Sequence, residues 1–426
     1  MAELNMNYIT KIEGHASLYL DVEDNEVKKC NLKSVEGARF FEGIVKGKHF
    51  SDVSEIVSRI CGICSTAHTV TSIKAIENAL KVDVSKQTKL LREMITIGER
   101  IRSHATHLYF LALPDYLGYE SAIAMAPKYR SEVNTALELM KLGNNIVSAI
   151  GGREMHPVTL AIGGFTNIPE KKQFDDLLRR LKDARDSANR TAELFLRLNY
   201  PNFERQSEYI SLKQLDSFPL LEGTIISDKG LNTEQKDYRK YFDEYIEPYS
   251  TAKFAVREGK EYFTGALARM NNNYKLLGRN SELLLKNFRR TFPSYNPFHN
   301  NIAQAIELVH WIDQGIEIIE KNEFKKQPLQ EIKNRKGHGI AVTEAPRGLL
   351  FHEYDIDSNG KVKKCNIITP TCQNLRNMEQ DIKAFVPNLL GKKEEQIKLD
   401  IEKLIRSYDP CFSCATHFLK FKMKRR

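Results

Sequence analysis

Arg59-Ile60-Cys61-Gly62-Ile63-Cys64-Ser65-Thr66-Ala67-His68 lies near the start of the chain, and Asp409-Pro410-Cys411-Phe412-Ser413-Cys414-Ala415-Thr416-His417 lies near its end. Each stretch sets two thiols three residues apart and follows the second with a histidine. Two cysteines at that spacing reach one metal from a single turn of chain. Two such turns supply a complete set of soft thiolate donors. One pair alone is a weak signal; two with matching histidines form a specific one. Almost the whole chain separates them, whereas the knuckles of a structural zinc site usually share a small domain. The spacing therefore leaves a zinc staple and a redox metal site both open. Disulfides are a third reading, but the N-terminus carries no secretory pattern and cytosolic thiols stay reduced.

At 426 residues, 41% of them hydrophobic, the chain can bury a sizeable core. No apolar run is long enough to span a bilayer, so we expect a cytoplasmic protein with no direct membrane insertion. The formal charge of +9 would suit nucleic acid, yet the Lys and Arg residues are interleaved with Asp and Glu and no nucleic-acid motif is present. We expect no nucleic-acid partner. Cys30, Cys365 and Cys372 read as buried reduced thiols.

The pattern predicts a mainly helical α+β fold. A central bundle of long helices is flanked by strands near the N-terminus and before the C-terminal helix. Ser17–Val22 and Val27–Leu32 read as a hairpin about a polar turn. A short helical approach over Asp52–Ile63 leads to the first cysteine pair, and a helix over Thr69–Leu80 leaves it. Apolar steps predict a helix from Lys86 that closes at Pro114. Others are predicted over Glu132–Ile150, Phe174–Leu198, Ser281–Arg290 and Asn301–Lys321. Residues 201–259 read as an irregular, partly β excursion. Leu349–Tyr354 and Val362–Ile368 read as strands, and Glu394–Ser407 as the helix that delivers the second pair. This divides one domain over 1–426 into an N-terminal β region (1–50), a helical bundle (51–200 and 260–330), the excursion, a metal-site region (340–417) and a tail (418–426).

The flanking residues add a family likeness. RICGIC, DPCFSC with its histidine, KIEGH (Lys11–His15), ARFFEGI (Ala38–Ile44), HLYFLALPDYLGY (His107–Tyr119), GALARMNNN (Gly265–Asn273), NPFHNNIAQAIE (Asn296–Glu307), TEAPRG (Thr343–Gly348) and ITPTCQN (Ile368–Asn374) together resemble the large subunit of NiFe hydrogenases. The likeness runs over nearly the full length. It is greatest to the soluble sulfhydrogenase and NAD(P)-linked branch.

The resemblance implies an enzyme that reversibly splits dihydrogen at a nickel–iron centre whose iron carries carbon monoxide and cyanide. It implies Cys61 and Cys411 as terminal nickel ligands, with Cys64 and Cys414 bridging to iron. It implies Glu13 as first proton acceptor beyond Cys411, where a carboxylic acid in a dry site would hold a proton near neutral pH. His68 would hydrogen-bond a cysteine sulfur. Arg347 and Thr371 would donate to cyanide, with Asp115 and Asp409 placing the arginine. Glu42, His417 and a main-chain carbonyl about Ile367 would hold magnesium. Arg59 and His107 read equally as partners of the ligands or as ordinary helix-face residues.

The sequence has no further cysteine cluster, no GxGxxG loop and no flavin motif, so electrons are expected to leave through another subunit. The resemblance implies an iron–sulfur small subunit, a flavoprotein/iron–sulfur diaphorase pair, nickel-insertion proteins and a maturation protease acting after His417. A zinc scaffold, or a membrane-associated energy-converting hydrogenase, stands as the alternative.

Overall fold

Asp24 and Asn25 both adopt left-handed backbone, with φ 51° and 62°. They close a tight turn between strands Ala16–Glu23 and Glu26–Ser34, whose twist such a turn matches. Along the first strand buried and half-buried residues alternate, sending Leu18 and Leu20 into the core. A further strand, Ala2–Met6, pairs with it along its other edge. The computed structural model describes residues 2–37 and 39–416.

Helix Lys86–Thr106 is capped by the Ser85 hydroxyl, which accepts from the Thr88 N–H. It is buried on nearly every side because helices Arg130–Gly151 and Asn300–Lys321 pack against it. The first of these approaches closely: a Cβ on Gly143 would stand 2.5 Å from the Gly98 carbonyl oxygen. The expected stop at Pro114 is not observed. The chain runs through a π-helical turn, His107–Ala112, into helix Leu113–Leu117, and stops at Gly118 with φ 77°. Pro114 stands in the first turn of that last helix, where a missing N–H is tolerated. The predicted helix over Phe174–Leu198 is two helices, Lys171–Asp183 and Arg185–Arg197, with a break at Ala184. There Arg185 turns to Asp313 of helix Asn300–Lys321 at 2.9 Å, and a one-residue break leaves the apolar period unchanged.

The excursion over 201–259 is partly β, as read. It holds a sheet of Ile210–Lys213, Thr224–Ser227 and Asn232–Thr233 and a hairpin of Phe242–Ile246 with Lys253–Arg257. Three antiparallel strands, Gly337–Ala345, Gly348–Ile356 and Val362–Ile368, precede helix Pro370–Phe385, which the sequence reading missed. Helix Glu394–Ser407 follows where it was predicted. Helix thus predominates, with several small antiparallel sheets, in line with the mainly helical α+β expectation. No helix among the described residues is long and apolar enough to cross a membrane.

The contact that places the first cysteine pair is backbone on backbone. Helix Ser65–Leu80 lies directly on strand Gly337–Ala345. A Cβ on Gly337 would be 1.9 Å from the Ala79 carbonyl oxygen, and one on Gly339 would be 2.0 Å from that of Ala75. Only glycine fits, and overpacking of this kind costs about 1–3 kcal/mol or more. Gly339→Ala should therefore lower the melting temperature and the nickel content together; a variant unchanged in both would show that this contact does not set the helix.

Candidate metal centre

Cys64 is the residue at which helix Ser65–Leu80 begins, so its sulfur sits beside a helix N-terminus, where negative charge is favoured. Two side chains of helix Lys86–Thr106 hold this turn. The Glu99 carboxylate accepts from the N–H groups of Thr66 (2.6 Å) and Ala67 (3.0 Å). Arg102 donates to the Ile63 carbonyl between the two cysteines at 2.8 Å. Burial raises the Glu99 carboxyl to about 7, against the pull of Arg102 and the two N–H groups.

The second pair is held from three directions. Asp409 bends the chain with φ 52°, an uncommon conformation for a non-glycine residue. Cys411 then pairs with Glu13 as a parallel bridge, and the Phe412 N–H donates to the Glu13 carbonyl at 2.8 Å. The Thr371 hydroxyl oxygen accepts from the Cys411 N–H at 2.9 Å. Gly14 lets the N-terminal segment in: a Cβ there would be 2.8 Å from the Ser413 nitrogen.

The two ends meet. Cys61 and Cys411 sulfurs stand 3.7 Å apart, Cys64 and Cys414 3.6 Å, and Cys411 and Cys414 2.8 Å. All four are buried as free cysteines. Such sulfurs cannot all ionise on their own. Hydrogen bonds from Cys411 and Cys414 hold Cys61 well below the usual thiol range, while burial pushes Cys411 and Cys414 well above it. Cys64 ends at about 11: hydrogen bonds with Cys411 and Cys414 lower it, and the Cys61 thiolate and burial more than offset them. Four thiolates here require a cation among them, and this soft donor set suits nickel, iron or zinc.

Arg347 lies in the connection between strands Gly337–Ala345 and Gly348–Ile356, yet is buried. Its Nε donates to the Asp409 carbonyl (2.6 Å) and its Nη2 to Asp409 Oδ1 (2.9 Å), while Nη1 has no hydrogen-bond partner among the described residues. A buried, unspent guanidinium N–H beside a thiol cluster is a donor held for something else. Thr371 is alike, because accepting from Cys411 leaves its own hydroxyl proton to give. Gln304 donates to Asp409 Oδ2 at 3.0 Å, and His107 lies behind Gln304 at 2.5 Å. Asp115 departs from expectation: its carboxylate takes Arg406 Nη1 (2.7 Å) and the Lys11 ammonium rather than Arg347. Since Arg406 also holds the Thr10 carbonyl, Asp115 fastens the segment that carries Glu13. Arg59 is exposed and pairs with Glu55.

A ring nitrogen of His68 lies within 4.8 Å of the Cys64 and Cys414 sulfurs, while Nδ1 meets His352 Nε2 at 3.1 Å. Burial lowers its imidazole to about 4, so it is neutral. Cys411 Sγ donates to Glu13 Oε2 at 2.7 Å. Glu13 is half-buried in this chain by itself. Glu42 and Ile367 come together, through the Ile367 N–H at 2.8 Å. The Lys253 ammonium holds the same Glu42 oxygen at 3.0 Å and Glu244 at 2.7 Å. His417 lies outside the described residues.

The family model described as "Nickel-dependent hydrogenase" matches residues 39–138 and 232–417. The chain is 34% identical over 421 residues to the alpha subunit of sulfhydrogenase 1 of Pyrococcus furiosus, covering 98% of both. This chain belongs to the nickel-dependent hydrogenases. It is 36% identical to the alpha subunit of sulfhydrogenase 2 of the same organism, over 98% of this chain and 99% of that one. Its fold matches the crystal structure of an NAD+-reducing [NiFe]-hydrogenase in the H2-reduced state, with a TM-score of 0.89 at 24% identity, covering 98% of this chain and 100% of the other. It is therefore an oxidoreductase acting on dihydrogen, the catalytic large subunit of a multisubunit enzyme with a small-subunit partner. The zinc-scaffold alternative falls.

Glu99, Arg102, Gln304 and His352 were not singled out from sequence. Glu99 and Arg102 look like an ordinary surface pair three residues apart, and only their helix's burial on all sides betrays them. Glu99 gives a signed pH test. Its carboxyl titrates at about 7 when folded, above the ordinary range near 4.5, so wild-type stability from this group is full at low pH and lost as pH rises toward 7. Glu99→Gln lacks that loss. Its melting temperature relative to wild type should improve steadily from pH 4.5 to 7.5; a constant offset would mean that the carboxyl is not buried as described.

Proposed function

We propose that Cys61 and Cys411 are terminal ligands of nickel, that Cys64 and Cys414 bridge it to an iron carrying carbon monoxide and cyanide, and that reversible dihydrogen cleavage occurs there. The observation that carries this reading is the convergence of the four sulfurs from the two ends of the chain. The unspent Arg347 Nη1 and the Thr371 hydroxyl proton support these two as donors to cyanide on iron, with Asp409 holding the arginine. When bound, the centre would supply heterolytic cleavage of dihydrogen, which yields two protons and two electrons overall.

The chain's own residues handle the proton. Cys411 Sγ, as a thiol, hands it to Glu13 Oε2 across 2.7 Å, and the half-buried Glu13 passes it toward the surface. His68, neutral and beside the bridging pair, donates to sulfur and so withdraws electron density from the metals. Glu42, Ile367 and His417 would hold a magnesium ion.

Electrons leave through the iron–sulfur small subunit and, in our reading, through a flavoprotein/iron–sulfur pair to NAD(P). Support comes from relatives named sulfhydrogenase and from a structural neighbour named NAD+-reducing. We read residues 1–426 as one domain in a cytoplasmic complex, loaded by nickel-insertion proteins and trimmed after His417 by a protease.

Glu13→Gln keeps size and removes the acceptor. Dihydrogen oxidation by the purified complex should fall by about 10²–10⁴-fold at unchanged nickel content. Turnover within twofold of wild type would remove Glu13 from the route. For the acceptor, complex with all its subunits should reduce NAD(P)+ under dihydrogen. Preparations lacking every cluster-bearing subunit should not, and their doing so would refute the electron path.

A further inference from the structure

We propose that Gln304 is a positioning residue: by occupying one oxygen of Asp409 it confines the Arg347 guanidinium to the other, and so keeps Nη1 free and in place. The proposal rests on the four-cysteine reading above. An arginine facing a carboxylate frequently sets two N–H groups on two oxygens. Here both go to one. Arg347 Nε (3.1 Å) and Nη2 (2.9 Å) donate to Asp409 Oδ1, and Nε also reaches the Asp409 carbonyl at 2.6 Å. Asp409 Oδ2 accepts from Gln304 Nε2 instead, at 3.0 Å. Arg347 Nη1 is left without a hydrogen-bond partner among the described residues, although the side chain is buried.

One helix face builds this arrangement. Asn300, Gln304 and Glu307 follow one another at steps of four and three along helix Asn300–Lys321. The Asn300 amide donates to the Ser407 carbonyl at 2.8 Å, two residues before Asp409. Gln304, one turn on, reaches the Asp409 carboxylate itself. Glu307 accepts from Arg269 Nε at 2.6 Å and Nη2 at 2.8 Å. Arg269 in turn donates to the carbonyls of Ala345 (3.2 Å) and Pro346 (3.0 Å), the two residues before Arg347. The same face therefore grips both partners of the ion pair.

The orientation of Gln304 follows from the groups around it. A carboxylate oxygen only accepts, so the amide turns its nitrogen to Asp409, and its oxygen falls to His107 Nδ1 at 2.5 Å. His107 Nε2 meets the Arg406 carbonyl at 2.7 Å, so the ring behind Gln304 is itself pinned. Gln304, His107 and Asp409 are all buried. An unpaired carboxylate oxygen is costly in such a place, and the guanidinium is the donor at hand. Without the Gln304 N–H, Oδ2 would pull the arginine fork across, because Nε is already tied to the Asp409 carbonyl and the remaining hydrogens are on the two Nη atoms. That pull moves Nη1 or spends it. Either way the donor assigned above to cyanide is lost.

The test uses the purified complex and four variants: Gln304→Met, Gln304→Leu, Arg347→Lys, and Gln304→Met combined with Arg347→Lys. The readouts are nickel content, the infrared bands of carbon monoxide and cyanide on iron, and dihydrogen oxidation. Neither Met nor Leu can donate a hydrogen bond. At wild-type nickel content, each should shift a cyanide band and lower turnover by about tenfold or more. The double variant is decisive. Gln304 acts through the arginine fork, so Gln304→Met should move the cyanide bands far less once residue 347 is lysine, whose ammonium has no fork to turn. Cyanide bands unmoved by both glutamine variants overturn the proposal. So does a shift as large beside lysine as beside arginine, which is what a merely structural glutamine would give. Met and Leu differ in shape, and if one fails to assemble the other takes its place in the same comparison. Cyanide bands unmoved by Arg347→Lys, or absent from wild type, would sink the underlying reading of the centre and the proposal with it, which keeps the two failures distinguishable.

Discussion

Four buried sulfurs drawn from opposite ends of the sequence each sit within 4 Å of a neighbour. Left to themselves they resist ionising together, because burial and mutual repulsion favour thiols. The rest of the structure answers that constraint. It brings a helix N-terminus to one pair, a fixed guanidinium close to the cluster, and a carboxylate that accepts from the Cys411 thiol, so that a metal cation would complete the charge balance rather than create it alone.

Rigidity comes from backbone contacts more than from side-chain volume. The glycines of strand Gly337–Ala345 let it lie on the carbonyls of helix Ser65–Leu80, and Gly14 lets the Glu13 segment reach the second pair. Buried charges then lock the elements to one another. Arg269 bridges Glu307 and Glu344 at the foot of the hairpin that carries Arg347, and Arg406 ties Asp115 to the Thr10 carbonyl beside Glu13. Breaking such a pair strands a charge in the core, which is strongly destabilising. The protein thus holds the Glu13 segment and Arg347 with the same kind of fastening.

Much of this was legible in the sequence. The cysteine spacing announced the metal site, and apolar residues recurring at three- and four-residue steps announced helices Lys86–Thr106 and Asn300–Lys321. The misses share a cause. Helix Pro370–Phe385 is buried on most sides and rich in polar residues that bond to backbone, so its pattern carries no clean period. Asp115 was assigned to Arg347 by likeness, whereas geometry gives it to Arg406 and Lys11. His352 reads as a strand residue until the helix opposite is known. Pairing across the fold is information that no local spacing contains.

The central claim is that these four sulfurs surround nickel. X-ray absorption at the nickel edge of the purified complex measures that directly. The account predicts a first shell made of sulfur, with iron as the next heavy neighbour. A shell dominated by nitrogen or oxygen, or zinc in the protein with no nickel at all, would contradict it.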